Sequence, residues 1–328
     1  MNKIVLICPY FGKLPSYFRL TLTSMKNNPQ IDWLIFTDDK TLYNYPDNVK
    51  VIYTDFSSIR SLISEKIMMD ASSIKPYKLC DFKPFYGIIF DEYIKCYDFW
   101  GHCDFDCIFG RINYFLTDEI LNSYEKILFL GHLSLYRNSK KMTNTLRRYF
   151  IECPHLKDML QKDYPFQIDE VLIIKYLSDK KVSIFMNDES IADIYCLKKP
   201  FYITHSEIKT DSKSKKIRLY STYKKNNGMI FSYQKGVLKS FFFGSKGNDI
   251  KEKEYMYIHL QKRSMCCKMD ISEKSDDFLI VPNSFLPYRK IDKDFIQKYS
   301  NDSGVYMGFF KIKYRNLKNR VQLLLKGV

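Results

Sequence analysis

The amino-acid sequence predicts an α/β protein, a mainly parallel sheet flanked by helices, with a smaller mixed β-rich C-terminal region and a basic amphipathic tail. Three observations carry this expectation. Short β-branched runs alternate with amphipathic helical stretches through the first half of the chain. Beyond Ile203 the pattern changes to short strand-like runs separated by polar turns. The final residues set apolar side chains among lysines and arginines. The expected divisions are residues 1–205, 206–305 and 306–328.

Lys3 to Cys8 is a compact apolar run closed by Pro9-Tyr10-Phe11-Gly12, a buried first strand and the loop at its carboxyl end. Ser16 is placed to cap a helix carrying Phe18, Leu22 and Met25, which Asn27-Asn28-Pro29 stops. A strand from Trp33 to Thr37 ends in Asp38-Asp39, a third runs from Val49 to Tyr53, and Ser57 opens a helix to about Met69. Strand, helix, strand, strand, helix at this spacing argues for parallel pairing. Further on, Glu125 to Leu130 reads as a strand, Ser139 to Phe150 as a helix, and Ile168 to Leu177 as a helix with Asp169 and Glu170 in its first turn. Gly228 to Tyr233, Val237 to Phe243 and Tyr255 to Leu260 read as strands, and the Ser- and Lys-rich stretch from Lys209 to Lys216 as a surface loop. In the tail, Phe310, Ile312 and Tyr314 alternate with Lys311, Lys313 and Arg315. Leu317, Val321, Leu324 and Leu325 then fall at helical spacing.

Composition narrows the function classes. With 45% hydrophobic residues and only 12 Gly and 11 Pro, the chain is neither collagenous nor disordered. The apolar segment Ile4 to Cys8 is too short for a signal core or a membrane span, so a cytoplasmic protein is expected. Nine cysteines at irregular places form no disulfide framework and no paired zinc ligands, and read as reduced thiols. A net charge of +15 attracts polyanions of any kind, whether nucleic acid, anionic lipid or a diphosphate.

The chemistry concentrates in Trp100-Gly101-His102-Cys103-Asp104-Phe105-Asp106-Cys107-Ile108-Phe109-Gly110. In an extended segment Asp104 and Asp106 would share a face while Phe105 points into the core. Two carboxylates between apolar flanks repel and are costly to desolvate unless a cation joins them. Hard oxygen ligands favour Mn²⁺ or Mg²⁺. A second D-x-D, Asp292-Lys293-Asp294, has a polar, lysine-rich setting and reads as solvated surface. Upstream, Lys75-Pro76-Tyr77-Lys78-Leu79-Cys80-Asp81-Phe82-Lys83-Pro84 gathers lysines around one carboxylate. It presents ammonium groups to a diphosphate, with Asp81 orienting a lysine or meeting a ribose, or it is a surface turn.

Pro9-Tyr10-Phe11-Gly12 after the first strand, Thr37-Asp38-Asp39 after the second, Lys78-x-Cys80-Asp81-x-Lys83-Pro84 and the apolar D-x-D together resemble bacterial capsule and O-antigen glycosyltransferases of GT-A fold. The resemblance spans about the first 200 residues and weakens afterwards. It implies a GT-A-like, Rossmann-like core over residues 1–205, with residues 206–305 completing the active site. It also implies Mn²⁺ or Mg²⁺ and a donor diphosphate on Asp104 and Asp106, and a nucleotide base against Pro9, Tyr10, Phe11 and Asp38. Lys78, Asp81 and Lys83 are further donor-site candidates. A C-terminal histidine often completes the metal shell in such enzymes, for which His259 is the candidate, with Lys262 and Arg263 reaching the leaving diphosphate. The acceptor-side base would be Asp169 or Glu170, although acids in a first helical turn also simply stabilise the helix dipole. Gly131-His132-Leu133-Ser134 lines the acceptor pocket or is a turn. The implied reaction moves a hexose, galactose in either ring form or glucose, from a UDP-sugar to a glycan or lipid-linked acceptor. The basic tail would then touch the anionic inner membrane surface or pack on the body of the protein.

No G-x-G-x-x-G or P-loop motif competes for phosphates. A nucleic-acid binder would account for the charge but not for paired aspartates in an apolar segment, and no nucleic acid is expected as a partner. A metal-dependent sugar phosphotransferase would share the diphosphate site, and a non-catalytic glycan-binding protein would bind sugar without turning over donor.

Overall fold

The computed structural model describes residues 2–210, 217–225, 227–244, 249–269, 276–300 and 307–325. Its first strand, β1 (Ile4–Tyr10), leads through α1 (Phe18–Lys26) to β2 (Ile31–Thr37), β3 (Val49–Tyr53) and α2 (Phe56–Ile67). A run of short helical turns that includes α3 (Leu79–Phe82) precedes β4 (Phe99–Cys103) and β5 (Cys107–Phe109). Then come β6 (Lys126–Ile127), β7 (Leu133–Arg137), α4 (Lys140–Glu152), α5 (Ile173–Asp179), β8 (Ile184–Phe185) and β9 (Ile191–Asp193).

Seven of these strands form one sheet in the order β3-β2-β1-β4-β7-β6-β8. Its pairings are parallel except for β7, which runs against both β4 and β6. Ile4 to Cys8 are all buried, which is why β1 reads as a continuous apolar run rather than an alternation: helices cover both faces of a central parallel strand. The strand order reverses between β1 and β4. Their carboxyl ends therefore open a crevice with no crossover chain in it, where α/β sheets bind ligands.

The remaining chain is mostly β. Strands β10 (Tyr202–Thr210) and β11 (Ile217–Lys225) make a separate antiparallel hairpin. A second sheet is built from β12 (Asn227–Gln234), β13 (Val237–Phe243) and β14 (Ile250–Tyr255) together with β16 (Cys266–Cys267), β17 (Phe278–Val281) and β18 (Ser284–Pro287). Between β14 and β16, β15 (Tyr257–His259) leaves that sheet and is sandwiched by β5 and β9. Helices α6 (Lys293–Ser300) and α7 (Met307–Leu325) close the described chain. Helix α1 joins the halves: Phe18, Leu22 and Met25 belong to the main core, and Tyr17 and Leu20 to the second one.

Several sequence expectations are corrected. Asp104 and Asp106 do not sit in a strand; they occupy the turn between β4 and β5, while Phe105 does enter the core. Helix α1 stops at Asn27 as expected, but Ser16 does not cap it; Tyr17 holds that place without a side-chain bond. Asp55, accepting from Ser58 N, caps α2, two residues ahead of the expected opening at Ser57. The expected strand Glu125–Leu130 pairs only at Lys126 and Ile127. The neighbouring strand β7 comes from Leu133–Arg137, whose start reads locally as a turn. Ile168–Leu172 form a wide π turn before α5 rather than a regular helical start. The expected strand Tyr255–Leu260 is broken at Met256, so its two parts enter different sheets. In the tail, the alternation around Ile312 belongs to a single helix. Lys209 and Thr210 finish β10, and the rest of the expected Lys209–Lys216 loop lies outside the described residues until β11 begins. Asp292 and Asp294 are exposed, and Asp292 accepts from Phe295 N at the start of α6. Among the described residues no helix is long and apolar enough to cross a membrane.

Candidate active site

The crevice predicted by the strand order is a cleft of about 1160 Å³. Pro9, Tyr10 and Phe11 line it from the end of β1, Asp104 and Asp106 from the end of β4, and Gly131 and His132 from the start of β7. Asp169 and Glu170 approach from the π turn, and Asp193, His259 and Lys262 from the C-terminal half.

Ligand atoms of Asp104, Asp106 and His259 all lie within 4.8 Å of one another. The turn that presents both aspartates is fixed by its backbone: Asp104 N donates to His132 O at 3.1 Å and Leu260 N to Asp106 O at 2.8 Å. His259 Nε2 faces Asp106 Oδ1 at 3.4 Å, and its Nδ1 is 2.8 Å from Asp193 Oδ1. Gln261 Nε2 also donates to that Asp193 oxygen at 2.8 Å. A carboxylate behind an imidazole fixes the ring and its tautomer and leaves the other nitrogen for a cation. Burial disfavours the imidazolium, but Asp106 and Asp193 outweigh it and raise His259 well above the ordinary histidine range. The site thus already gathers positive charge among carboxylates. Two carboxylate oxygens and one imidazole nitrogen suit Mn²⁺ or Mg²⁺, so the residues fit the implied ion. His132, Asp193 and His259 form a second close group, with His132 stacked on His259 at 4.2 Å. There the Tyr257 hydroxyl engages His132 Nδ1 at 2.7 Å and Asp193 already serves His259 and Gln261, so this group supports the first.

Lys83 connects the metal candidates to the other carboxylates. Its Nζ donates to Asp104 Oδ1 at 2.7 Å and Gly131 O at 2.8 Å, and lies 3.6 Å from Asp169 Oδ2. Burial pushes the Asp104 carboxyl up, yet Lys83 and His259 prevail and hold it below its usual value. Glu170 Oε1 accepts from Gly131 N at 3.1 Å. A Cβ on Gly131 would stand 2.3 Å from Asp169 Oδ2, so this close approach requires glycine. Gln167 and Gln261, flanking the π turn and His259, both take left-handed backbone conformations, at φ 57° and 50°, which is strain of the kind that collects at functional sites.

The Asp169 carboxyl is pushed up to about 8, by burial first, against Lys83, with Glu170 and Asp104 adding to the rise. The folded protein therefore keeps a proton there that an unfolded carboxyl loses near pH ~4. This contribution to stability is full below that pH and is lost as pH rises through about 8. Asp169→Asn, neutral at every pH, is expected to escape the loss. In metal-free buffer its thermal midpoint should gain on that of the wild type as pH rises across this window; a constant difference would contradict the assignment.

Other expected site residues lie elsewhere. Lys78 and Asp81 are wholly buried and face away from the cleft: Lys78 Nζ donates to Asp81 Oδ2 at 2.7 Å, Met159 O at 2.6 Å and Tyr164 O at 2.8 Å. Their burial removes them as diphosphate ligands. Asp38 Oδ1 accepts from Gly12 N at 2.7 Å and pins the loop after β1, outside the cleft lining. Arg263 borders the cleft, but its guanidinium donates to Tyr195 O, Lys198 O, Lys199 O and Asn283 Oδ1, which fixes the loop at 195–199. Asp193 was not singled out by the sequence, although a carboxylate inside the apolar run Ile191-Ala192-Asp193-Ile194 is the same signal that marked Asp104 and Asp106.

Comparison with known proteins adds the following. Among solved structures, the glycosyltransferase GlyE in Streptococcus pneumoniae TIGR4 is 15% identical with a TM-score of 0.31, over 58% of this chain and 45% of that one. The chain thus spans under half the length of that protein, and the likeness is too slight to carry function. No curated protein matches. Residues 6–289 match the model of a family of unknown function, DUF6625, and the chain belongs to that family.

Proposed function

We propose that the protein is a metal-dependent glycosyltransferase that takes a hexosyl unit from a nucleoside diphosphate sugar, UDP-linked by the sequence resemblance, and passes it to a hydroxyl of a surface-polysaccharide acceptor. The observation that carries this reading is the group of Asp104, Asp106 and His259 at the strand-order reversal, with Asp193 fixing the histidine. Bound there, Mn²⁺ or Mg²⁺ would supply Lewis-acid stabilisation of the departing diphosphate.

The chain's own residues divide the remaining work. Pro9, Tyr10 and Phe11 form the wall against which a nucleotide base packs, and Lys262, exposed at the cleft rim, attracts the diphosphate. Lys83 keeps Asp104 ionised as a ligand. Glu170, more open to the cleft than Asp169 and oriented by Gly131 N–H, accepts the acceptor hydroxyl's proton as its oxygen bonds to the anomeric carbon and the bond to the diphosphate breaks. Asp169 faces Lys83 at 3.6 Å and helps place it. In α7, Phe310, Tyr314, Leu317 and Val321 recur along one helical face and stay exposed, and the helix sequence has lysines and arginines but no acid. This supports reversible contact with an anionic membrane surface carrying the acceptor.

The test is UDP release from a panel of UDP-sugars with and without Mn²⁺. Slow hydrolysis that needs the metal and yields UDP is the expected result. UMP as the product would instead indicate a sugar phosphotransferase, and no turnover with any donor or metal would remove the proposal's basis.

A further inference from the structure

The hairpin of β10 and β11 lines part of the same cleft. Its register sets Thr204 opposite Tyr223, Ser206 opposite Ser221 and Ile208 opposite Leu219. Alternate residues of a strand share a face, and so do direct cross-strand partners, so these six side chains project together. All but Ile208 line the cleft. The hairpin is held at two places: Ile203 is buried in the second core, while Ile208 and Leu219 pack on the main one.

The surface it presents is distinctive in its chemistry. Tyr195 packs on Tyr223 with ring centroids 4.0 Å apart, yet Tyr223 remains 50% exposed. Thr204 is only 7% exposed, and its Oγ1 has no hydrogen-bond partner among the described residues. The Ser206 and Ser221 hydroxyls stand 3.3 Å apart. Across these positions no side chain is charged; Glu207 and Lys224 belong to the opposite face. A polyanion would require cations here. An aromatic plate beside hydroxyls that both donate and accept fits a neutral sugar ring, with its C–H face on the aromatic and its hydroxyls on the serines and threonine. Strand β11 also packs against the π turn that carries Asp169 and Glu170.

We infer that this face is a subsite for a neutral hexose ring, stacked on Tyr223 and bonded by Thr204, Ser206 and Ser221, which delivers the acceptor hydroxyl to Glu170. The assignment rests on the proposed glycosyl transfer for its role as acceptor site, but sugar binding can be read without any donor. Saturation-transfer NMR with the methyl α- and β-glycosides of glucose and galactose would compare wild type, Tyr223→Phe and Tyr223→Ala. At least one glycoside should bind wild type and Tyr223→Phe alike and Tyr223→Ala roughly tenfold more weakly, the effect of losing one ring contact. UDP release without acceptor is measured alongside in all three. Equal binding by Tyr223→Ala, or no binding of any of the four glycosides to wild type, would overturn the subsite. Glycoside binding that follows the expected order without UDP release in any variant would sustain the subsite and defeat the transferase reading.

Discussion

Replacing Asp106 by alanine is expected to reduce metal-dependent UDP release by roughly 10²–10³, the usual effect of deleting one charge-stabilising group at a reacting centre. The fold should survive. Asp106 reaches Leu260 N through its backbone carbonyl, which alanine retains, and its side chain is 27% exposed, so little buried structure depends on it. What disappears is one hard ligand and the carboxylate facing His259 Nε2. Mn²⁺ titration by calorimetry should show weaker binding in step with the lost rate, while the thermal midpoint in chelator stays near that of the wild type. If the variant bound Mn²⁺ and released UDP as the wild type does, the metal site would have to be placed elsewhere. Asp104 is the less clean target, because its removal also leaves the buried Lys83 ammonium short of a partner.

Asp81→Ala should act on stability, with a loss of about 3–5 kcal/mol, as expected when a buried ion pair is broken from one side. Asp81 accepts from Lys78 Nζ and also from Phe166 N at 2.9 Å and Ile168 N at 3.2 Å. Alanine would leave a buried ammonium with only carbonyl partners and two backbone N–H groups unpaired. Urea unfolding followed by circular dichroism would read the change in midpoint; an unaltered midpoint would contradict the structural role. Asp81→Asn, which keeps an acceptor for the amides but loses the charge, should fall between. The same bonds tether the segment that runs into Asp169 and Glu170, so acceptor-side chemistry should weaken together with the fold.

The contrast between these aspartates marks how far the sequence could be read. Asp104 and Asp106 are legible because carboxylates inside an apolar run demand a local explanation, and Ile4 to Cys8 is legible because a doubly covered strand has no polar face. Lys78 and Asp81 mislead for the opposite reason. Their neighbourhood is rich in lysine and proline and looks exposed, but it is sealed by Met159, Tyr164, Phe166 and Ile168, which nothing in the local pattern announces. Strand β7 was hidden because Gly131-His132 reads as a turn, which it is, and the strand that follows is buried without alternation. The face around Tyr223 has no sequence signature at all; pairing with β10 creates it.

The small sheet of β5, β15 and β9 has a consequence for how the protein acquires competence. It places the histidine of a C-terminal strand between an early turn and a middle strand, so the ligand group is assembled from contacts of very long range. Such contacts form late, because the intervening chain must first be ordered. During synthesis the ribosome would release both aspartates, and the whole main sheet around them, well before His259 emerges. A nascent or truncated chain would thus hold a nearly finished main sheet with both aspartates that lacks the imidazole and its pairing with Asp193. Assembly of the full ligand group would therefore follow the emergence of β15.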